Sequence, residues 1–409
     1  MSTGPSKTDL GGRAGEGRER LCDRILVVIT EDWFALSHFK PLLCELRALG
    51  RDVLVATRSS GRFDELAALG VQPVALDLGR GSLSPLVLLR GRRALTRLID
   101  TARPDVVHAI ALQPMVFTSL ALSGAQYRPR AAVLHLTGMG YLGVSRALSA
   151  RLIRGAAFGA MRRARRTAQP WLLAENADDL DVLVREGLGS AERAAIIPGA
   201  GVDPEEFAAQ PPPRNGVPRA AFVGRMVRTK GVDVLVEAQL RLRERGIALD
   251  IDLYGAPDLD NPDGISSAML AEWGNCEGVH CHGRVQDIVG VWRGADIAVV
   301  PSLGGEGMPR SMLEAAACAR PLVVADVPGC RQFVRDGSEG LVVPPGDVEA
   351  LAAALARLAA EPDLRRRQGL AARERLVAQF STDAVRRALR DAYRKLLAAS
   401  PVAAIGQET

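Results

Sequence analysis

Two glutamates eight residues apart flank a short loop near the end of an apolar run. Glu306 precedes the loop, and Glu314 lies about one turn inside the apolar helix that Pro309 is predicted to begin. The run Ile297–Val300 is typical of a buried parallel strand, so the pair lies at a strand–loop–helix junction. Because ligands of open α/β sheets bind beyond the carboxyl ends of strands, we interpret both glutamates as hydroxyl-binding groups. The alternative is a pair of solvated carboxylates.

A second polar loop, earlier in the chain, carries fixed positive charge. Arg225 and Lys230 lie in Phe222–Gly231, between a predicted strand and a predicted helix. Two cations beside a helix N-terminus suit a diphosphate, although a solvated basic turn is the alternative. The loop matches neither the Walker A pattern nor the dinucleotide Gly-x-Gly-x-x-Gly pattern, which argues against kinases and dehydrogenases. A diphosphate clamp beside a carboxylate pair describes a site for a nucleotide sugar.

The elements that must position these loops alternate regularly along the chain. Short apolar runs alternate with helical periods over residues 24–197 and again over 219–343. This alternation predicts an α/β fold of two doubly wound, Rossmann-like domains that face a cleft. Four prolines over residues 211–218 mark a linker between them.

Composition favours an ordinary globular protein of the cytoplasm. The chain has 409 residues, a net charge of +5 and 47% hydrophobic residues. Its six scattered cysteines suit a reducing compartment rather than a disulfide framework. We predict neither a signal peptide nor a membrane span, because the start of the chain lacks an apolar core and polar residues interrupt the longest uncharged stretch.

Positive charge is concentrated in one segment of the predicted first domain. Residues 80–166 contain fifteen arginines against two aspartates, a net charge of +13, mostly on predicted helices 85–102 and 148–166. A basic amphipathic surface predicts contact with an anionic membrane, so the protein is expected to be peripheral at the inner membrane face. A merely solvated face is the alternative. We expect no nucleic-acid partner, since no aromatic interleaving or recognition motif accompanies the arginines.

Two patterns resemble metal sites without fitting one. Cys276 and Cys281, with His280 and His282, have a spacing that matches no common zinc site. The acidic pair around Ile251 lies within strand periodicity, so we interpret it as the start and edge of a strand. No metal is predicted.

Taken together and in order, these motifs resemble the retaining glycosyltransferases of the GT-B fold, family 4 (group 1). The resemblance covers nearly the whole chain and is strongest over residues 222–345. The segments that carry it are Gly224-Arg225 with Lys230-Gly231, the Glu306-x7-Glu314 element, Gly340–Asp347, and Pro198–Asp203 with Phe207.

The resemblance implies a role for each candidate residue. Arg225 and Lys230 would hold the donor phosphates and offset the charge of the leaving group. Glu314 would bind the ribose, and Glu306 the donor sugar. Backbone N–H groups around Gly307, Met308 and Pro309 would face the phosphate or sugar, and Arg284 with Val285 would lie beside the base. His135 would contact the donor sugar near the reacting carbon; a packed strand-end histidine is the alternative.

The sequence predicts five segments along the chain. They are a disordered leader at 1–23, an acceptor-side domain at 24–210, the linker at 211–218, a nucleotide-sugar-binding domain at 219–380, and a helix at 381–398 that packs back towards the first domain.

The implied activity is hexosyltransferase-type transfer from a nucleotide diphosphate sugar, expected to be UDP-linked, to a lipid-linked or glycan acceptor. Retention of configuration and a role in surface polysaccharide biosynthesis follow from the resemblance, as does the absence of a metal or other cofactor. Thr137–Tyr141 resembles the branch that acts on polyprenyl-diphosphate-linked sugars. The loop Thr30–His38 lacks the Gly-Gly pair of many relatives, and its bulk is expected to shape the acceptor side. A sugar epimerase and a catalytically silent nucleotide-sugar-binding partner remain open as alternatives.

Overall fold

The protein folds into two α/β domains, each built on a parallel sheet. The structure, a computed structural model, describes residues 20–79, 85–145, 147–165, 169–213, 216–258, 261 and 263–400. Helices cover both faces of each sheet, as the alternating sequence pattern predicts. The predicted fold class is confirmed.

The first sheet has seven strands in the order β3-β2-β1-β4-β5-β6-β7. Its strands are rich in valine, isoleucine and alanine, and the central residues of the five strands between the edge strands β3 and β7 are mostly buried, as expected for a sheet covered on both faces. The strands are β1 Cys22–Glu31, β2 Gly50–Arg58, β3 Gln72–Ala75, β4 Val106–Ile110, β5 Ala131–Leu136, β6 Trp171–Ala174 and β7 Ala194–Ile196.

The second sheet has six strands in the order β10-β9-β8-β11-β12-β13. The strand order reverses between β8 and β11, which creates the crevice where ligands of doubly wound sheets bind. The strands are β8 Arg219–Val223, β9 Asp250–Tyr254, β10 Val279–Gly283, β11 Ile297–Val300, β12 Leu322–Ala325 and β13 Gly340–Val343.

Sixteen α-helices connect and cover these strands within the described ranges. In the first domain they are α1 Asp32–His38, α2 Lys40–Leu49, α3 Phe63–Ala68, α4 Pro85–Ala102, α5 Leu112–Leu122, α6 Tyr141–Val144, α7 Leu148–Arg165 and α8 Ala177–Arg185. The remaining helices are α9 Val232–Glu244, α10 Ser267–Gly274, α11 Ile288–Gly294, α12 Arg310–Ala317, α13 Pro328–Phe333, α14 Val348–Ala360, α15 Pro362–Arg375 and α16 Thr382–Ala398. Over the described part of the chain, no helix has the length and apolarity needed to cross a bilayer.

The last helix, α16, follows the second domain in sequence but packs on the core of the first. Leu389 and Tyr393 of α16 are fully buried against β1 and α2. The buried carboxylate of Glu45 on α2 accepts hydrogen bonds from Arg386 at 2.9 Å and Arg390 at 2.7 Å. Since an unpaired buried carboxylate would be costly, these ion pairs fix the position of α16.

The chain passes from the first domain to the second earlier than the prolines suggest. Val202 and Phe207, which the predicted boundary assigns to the first domain, are buried in the core of the second. Their apolar side chains need that core, so the segment before the linker belongs with the second domain. The chain returns to the first domain just before α16, and it does so beside this segment: the Thr382 N–H donates to the carbonyl oxygen of Val202 at 3.0 Å. The predicted leader lies largely outside the described residues.

Candidate active site

A cleft of about 990 Å³ lies between the two domains. Its walls are built at the carboxyl ends of five strands: β1, β5 and β6 of the first domain, and β8 and β11 of the second. Of the sequence-predicted site residues, those that line it are Arg225, Lys230, Glu306, Gly307, Met308, Pro309 and Glu314. The two loops that sequence motifs singled out therefore face one another across the crevice of the second sheet.

Lys230 and Glu306 form an ion pair in the wall of the second domain. Lys230 ends a short 3-10 turn after β8, and Glu306 belongs to the loop after the neighbouring strand β11. Ser302, which is fully buried, donates its hydroxyl to Glu306 at 3.2 Å. This pair holds a cation and a hydrogen-bond acceptor at the same point, as the binding of a phosphorylated sugar requires.

Arg225 projects into the cleft from the same loop as Lys230. Its guanidinium is half exposed and pairs with Asp258 at 3.0 Å. An exposed ion pair of this kind contributes little to stability, so the guanidinium can exchange its partner for an anion in the cleft.

Glu314 lies in α12 and is only 7% exposed, although it lines the cleft. Its carboxylate accepts a hydrogen bond from Arg310 at 2.7 Å, and Arg310 also donates to the backbone carbonyl of Ser37 in the first domain. Burial raises the pKa of Glu314, while the charge and hydrogen bond of Arg310 oppose that shift. Pro309 has extended backbone angles and caps the helix, so α12 begins at Arg310 and not at Pro309 as predicted.

The first domain holds the Glu306 loop from the opposite side. Gly140 N–H donates to the carbonyl oxygen of Gly305 at 2.9 Å. Gly138 has a φ of +97°, and a Cβ there would lie 2.5 Å from both Gly305 O and Gly307 N. Only glycine permits this approach of two backbones, so the turn after β5 is shaped for the loop after β11.

Two adjacent side chains at the end of β6 complete this clamp. The amide of Asn176 donates to the carbonyl oxygen of Gly307 at 2.9 Å, while its Oδ1 accepts the N–H of Asp179 at 2.8 Å and caps α8. Glu175 accepts a hydrogen bond from Met308 N–H. A Cβ on Gly307 would come within 2.2 Å of Glu175 Oε2, so the carboxyl group packs directly on the loop.

Glu175 is a buried carboxyl group that lines the cleft and has no cationic partner among the described residues. Burial raises its pKa to about 8; the Met308 N–H opposes the shift, and the charges of Asp179 and Glu306 add to it. The first domain therefore presents a carboxylic acid at neutral pH directly to the loop that carries Glu306.

His135 does not reach the cleft, contrary to its predicted contact with the donor sugar. It is 1% exposed, because β5 is an interior strand whose residues alternate between two covered faces. Its Nδ1 lies 3.3 Å from His108 Nε2, and His108 Nδ1 lies 2.9 Å from the hydroxyl of Tyr393 on α16. Burial lowers the pKa of His135 to about 3, so this is a neutral structural chain, and Thr137 takes the place at the cleft wall.

The histidine that does line the cleft is His38, at the end of α1. Its Nδ1 lies 2.7 Å from the hydroxyl of Ser37. Burial lowers its pKa to about 3, and the positive charges of Arg310, Lys230 and Arg225 act in the same direction. The cations of the second domain are thus close enough to keep this first-domain imidazole neutral.

The remaining predicted residues lie away from the cleft wall. Arg284 is exposed and Val285 packs against the second core; neither lines the cleft, whereas Ile288 on α11 does. No group of three or more histidine, cysteine or acidic residues is placed to hold a metal within the described ranges.

The acidic pair on β9 is internal to the sheet, not at its edge as predicted. Strand β10 lies outside β9, and Asp252 is buried with bonds to Arg219 at 2.8 Å and His282 at 2.6 Å. Asp252 is therefore paired with a cation within the sheet.

Sequence reasoning missed Glu175, Asn176, His38 and Arg310. Glu175 and Asn176 follow directly after the apolar run Trp171–Ala174, so the strand-end rule applied to Glu306 would also have found them. Arg310 lies within the stretch that was singled out. No strand-end position or motif in the sequence marks His38 as a site residue.

Two family sequence models match the chain, one for each domain. Residues 217–361 match "Glycosyl transferases group 1", and residues 24–160 match "Glycosyl transferase 4-like". The two matches cover the loops after β1, β5, β8 and β11, but not the loop after β6 that carries Glu175.

Individual proteins are similar along most of the chain. The N,N'-diacetylbacillosaminyl-diphospho-undecaprenol alpha-1,3-N-acetylgalactosaminyltransferase of Campylobacter jejuni is 24% identical over 320 residues, which are 75% of this chain and 82% of that protein. Sucrose-phosphate synthase from Thermosynechococcus elongatus superimposes with a TM-score of 0.74 at 21% identity, covering 92% of this chain and all of that one.

A third similar protein is HepE from Anabaena, solved in complex with UDP and glucose. It superimposes with a TM-score of 0.70 at 17% identity, covering 90% of this chain and 98% of that one. The structural likenesses establish the fold, and the sequence matches establish the enzyme class. The chain is therefore a GT-B glycosyltransferase, with a 4-like first domain and a second domain that belongs to group 1.

Proposed function

We propose that the protein transfers a sugar from a uridine diphosphate sugar to a polyprenyl-diphosphate-linked acceptor, with retention of configuration, in the assembly of a surface polysaccharide. The observation that carries this proposal is the convergence of Arg225, Lys230, Glu306 and Glu314 on one interdomain cleft. Cations and hydroxyl-binding carboxylates around one helix N-terminus are complementary to a diphosphate that links a ribose to a sugar.

Similar proteins support the two substrates. The HepE structure carries UDP and glucose, which supports a uridine diphosphate donor. The Campylobacter relative, by its name, acts on a sugar carried by undecaprenol diphosphate, and the chain matches 82% of it. Thr137–Tyr141, which resembles this branch, lies against the Glu306 loop through Gly140 and Gly305.

In the proposed reaction, the bond between the anomeric carbon and the leaving diphosphate oxygen breaks. A hydroxyl oxygen of the acceptor forms a bond to that carbon on the same face, and its proton passes to an oxygen of the leaving diphosphate. Arg225 and Lys230 offset the charge that develops on the diphosphate, which is an electrostatic form of catalysis. No divalent metal takes part.

The carboxylates act as holders in this scheme. Glu314 binds the ribose hydroxyls and Glu306 those of the transferred sugar, each exchanging part of its present contact with Arg310 or Lys230 for the donor. The first domain holds the Glu306 loop through Asn176 and Glu175, so the donor sugar and the acceptor meet in one geometry.

A panel of donors and acceptors tests the proposal. Purified protein is incubated with uridine and guanosine diphosphate sugars and a polyprenyl-diphosphate-linked sugar, and product mass and anomeric configuration are measured. We expect one added sugar with retained configuration from a uridine donor only. Donor conversion without acceptor would instead indicate an epimerase, and donor binding without any turnover would indicate a silent partner; either result overturns the proposal.

A further inference from the structure

The exposed large hydrophobic side chains of the first domain are concentrated on two helices. Leu86 and Leu89 of α4 are 66% and 46% exposed, and Leu148 and Leu152 of α7 are 69% and 65% exposed. All four lie within the first two turns of their helices. Single exposed leucines are ordinary, but four in matching positions of two helices form a pattern.

Arginines lie on the same helix faces as these leucines, from the first turns onward along both helices. Leu86, Arg90, Arg93 and Arg97 follow a helical repeat on one side of α4, and all are exposed. On α7, Arg151 and Arg163 are also exposed. None of these five arginines forms an ion pair with a described residue, so their charge is available to a partner. We call this set of four leucines and five arginines the basic leucine face.

The two helices cover the same side of the first sheet, one on each side of α5. Leu95 of α4 packs with Phe117 of α5, and Phe158 of α7 packs with Met115 of α5. Helices between parallel strands run opposite to them, so their first turns lie at the edge where the strands end and the cleft opens. The leucines of both helices therefore lie at the edge of the first domain that carries the cleft.

The start of α7 is also tied directly to the cleft. Helix α6 ends four residues before Leu148, and Val144 of α6 lies against Gly304 of the Glu306 loop. Arg154 of α7 donates to the carbonyl oxygen of Leu142 at 3.0 Å, which fixes the two helices together. A surface that binds the first turn of α7 is therefore adjacent to the cleft mouth.

We propose that the basic leucine face docks on an anionic lipid bilayer, with the leucines entering its apolar layer and the arginines contacting headgroups. Leucine side chains flanked by cations have the chemistry of an interfacial anchor. A second copy of this chain fits less well, because a twofold contact through this face would bring arginines against arginines. The proposal extends the proposed function by placing the cleft mouth at the surface where a lipid-linked acceptor resides.

Vesicle flotation of the full chain tests this surface without donor or acceptor. Vesicles of phosphatidylcholine alone are compared with vesicles that also contain phosphatidylglycerol, at low and high salt. We expect binding to the anionic vesicles that weakens with salt. Equal binding to both kinds, or no binding at low salt, overturns the proposal.

Three variants assign the binding to its residues. The leucine variant combines Leu86→Gln, Leu89→Gln, Leu148→Gln and Leu152→Gln. The arginine variant combines Arg90→Gln, Arg93→Gln and Arg151→Gln. The matched control on the second domain combines Leu370→Gln, which replaces a leucine that is 54% exposed on α15, with Arg366→Gln and Arg367→Gln. We expect the leucine variant to lose about tenfold or more in vesicle affinity, the arginine variant to bind more weakly and with a smaller salt dependence, and the control to bind as wild type.

Three further measurements separate this inference from the proposed function and from a contact between copies. Transfer to a water-soluble, short-chain acceptor should be unchanged in the leucine variant, and its thermal unfolding should match that of wild type. Wild-type vesicle binding by the leucine variant overturns the inference even if transfer is as proposed. Light scattering that shows a dimer lost in the leucine variant, without vesicle binding, would assign the face to a second copy and also overturn it.

Discussion

Asn176 and Gly307 belong to different domains, and the side-chain amide of Asn176 donates a hydrogen bond of 2.9 Å to the carbonyl oxygen of Gly307. The same side chain caps α8 through the N–H of Asp179. One residue thus couples the start of a first-domain helix to the second-domain loop that carries Glu306.

Asn176→Ala should lower kcat by roughly tenfold, because one bond that positions the loop is lost. It should also lower the free energy of unfolding by about 1 kcal/mol through loss of the helix cap. The matched control is Ser266→Ala, which removes the cap of α10 away from the cleft. Equal loss of kcat in both variants would show that the Asn176 effect is only structural.

Lys230→Ala and Arg225→Ala should each reduce transfer by about 100-fold or more, because both cations offset charge on the leaving diphosphate. Circular dichroism should show an unchanged fold. Arg228→Ala is the control, since Arg228 lies in the same turn but pairs with Asp233 at 3.1 Å and does not line the cleft. Near-wild-type turnover in both cleft variants would refute the diphosphate clamp.

Glu175 should make the protein less stable and less active as pH rises. Its pKa is raised to about 8 by burial, so its contribution to stability is present below the ordinary glutamate pKa and is lost as pH rises through about 8. Glu175→Gln should remove this loss, on the order of 3 kcal/mol between about pH 5 and pH 9.

The same variant should extend transfer into alkaline pH, because an ionised Glu175 adds negative charge beside Glu306 and the donor. Denaturant unfolding and pH–rate profiles of wild type, Glu175→Gln and the exposed control Glu205→Gln measure both effects. Identical alkaline limits in all three proteins would exclude this role.

His135 should govern stability in acid and not transfer. Its pKa is lowered to about 3, so its neutral form contributes stability that is present above the ordinary histidine pKa and is lost as pH falls towards about 3. His135→Asn keeps a polar partner for His108 and should remove on the order of 2 kcal/mol of the loss at about pH 5. Transfer should stay within about threefold of wild type. A variant that binds donor but cannot transfer would restore His135 to the reaction.

Transfer should persist after metal removal, because Arg225 and Lys230 supply the positive charge that a leaving diphosphate requires. Dialysis against a chelator, followed by assay with and without added magnesium or manganese, measures this. Activity that returns only with a divalent ion would contradict the prediction.

The sequence predicted the strands and the two-domain architecture well, because buried parallel strands appear in the sequence as apolar runs. The polar loops that build the site follow the carboxyl ends of those runs. Arg225, Lys230, Glu306 and Glu314 could be found because each lies directly after a strand or at the helix that follows it. His135 was misplaced because its role was carried over from the resemblance, and strand periodicity alone does not show what covers a buried strand residue. Here His135 is covered by His108 and Phe39, and His108 in turn bonds Tyr393 of α16, which is distant in sequence and carries no local signal.

The contacts between domains also lay beyond prediction. Arg310 and Ser37 meet only because the two sheets are set at one particular angle, which no pattern within either domain encodes. The domain boundary differs from its predicted position for a similar reason. The prolines mark a stiff segment, but the burial of Val202 and Phe207 decides which domain the residues before it join.

The two chain crossings run side by side, with Thr382 N–H bonded to the carbonyl oxygen of Val202. Two domains that are joined by two neighbouring chain segments can rotate about the line through those segments. Twisting and sliding of one domain against the other are restricted. The hinge axis passes close to Ala200 and Gly201, which themselves line the cleft. We therefore expect the cleft to open by a rotation about this line, and closure to return the Asn176 amide to the carbonyl oxygen of Gly307.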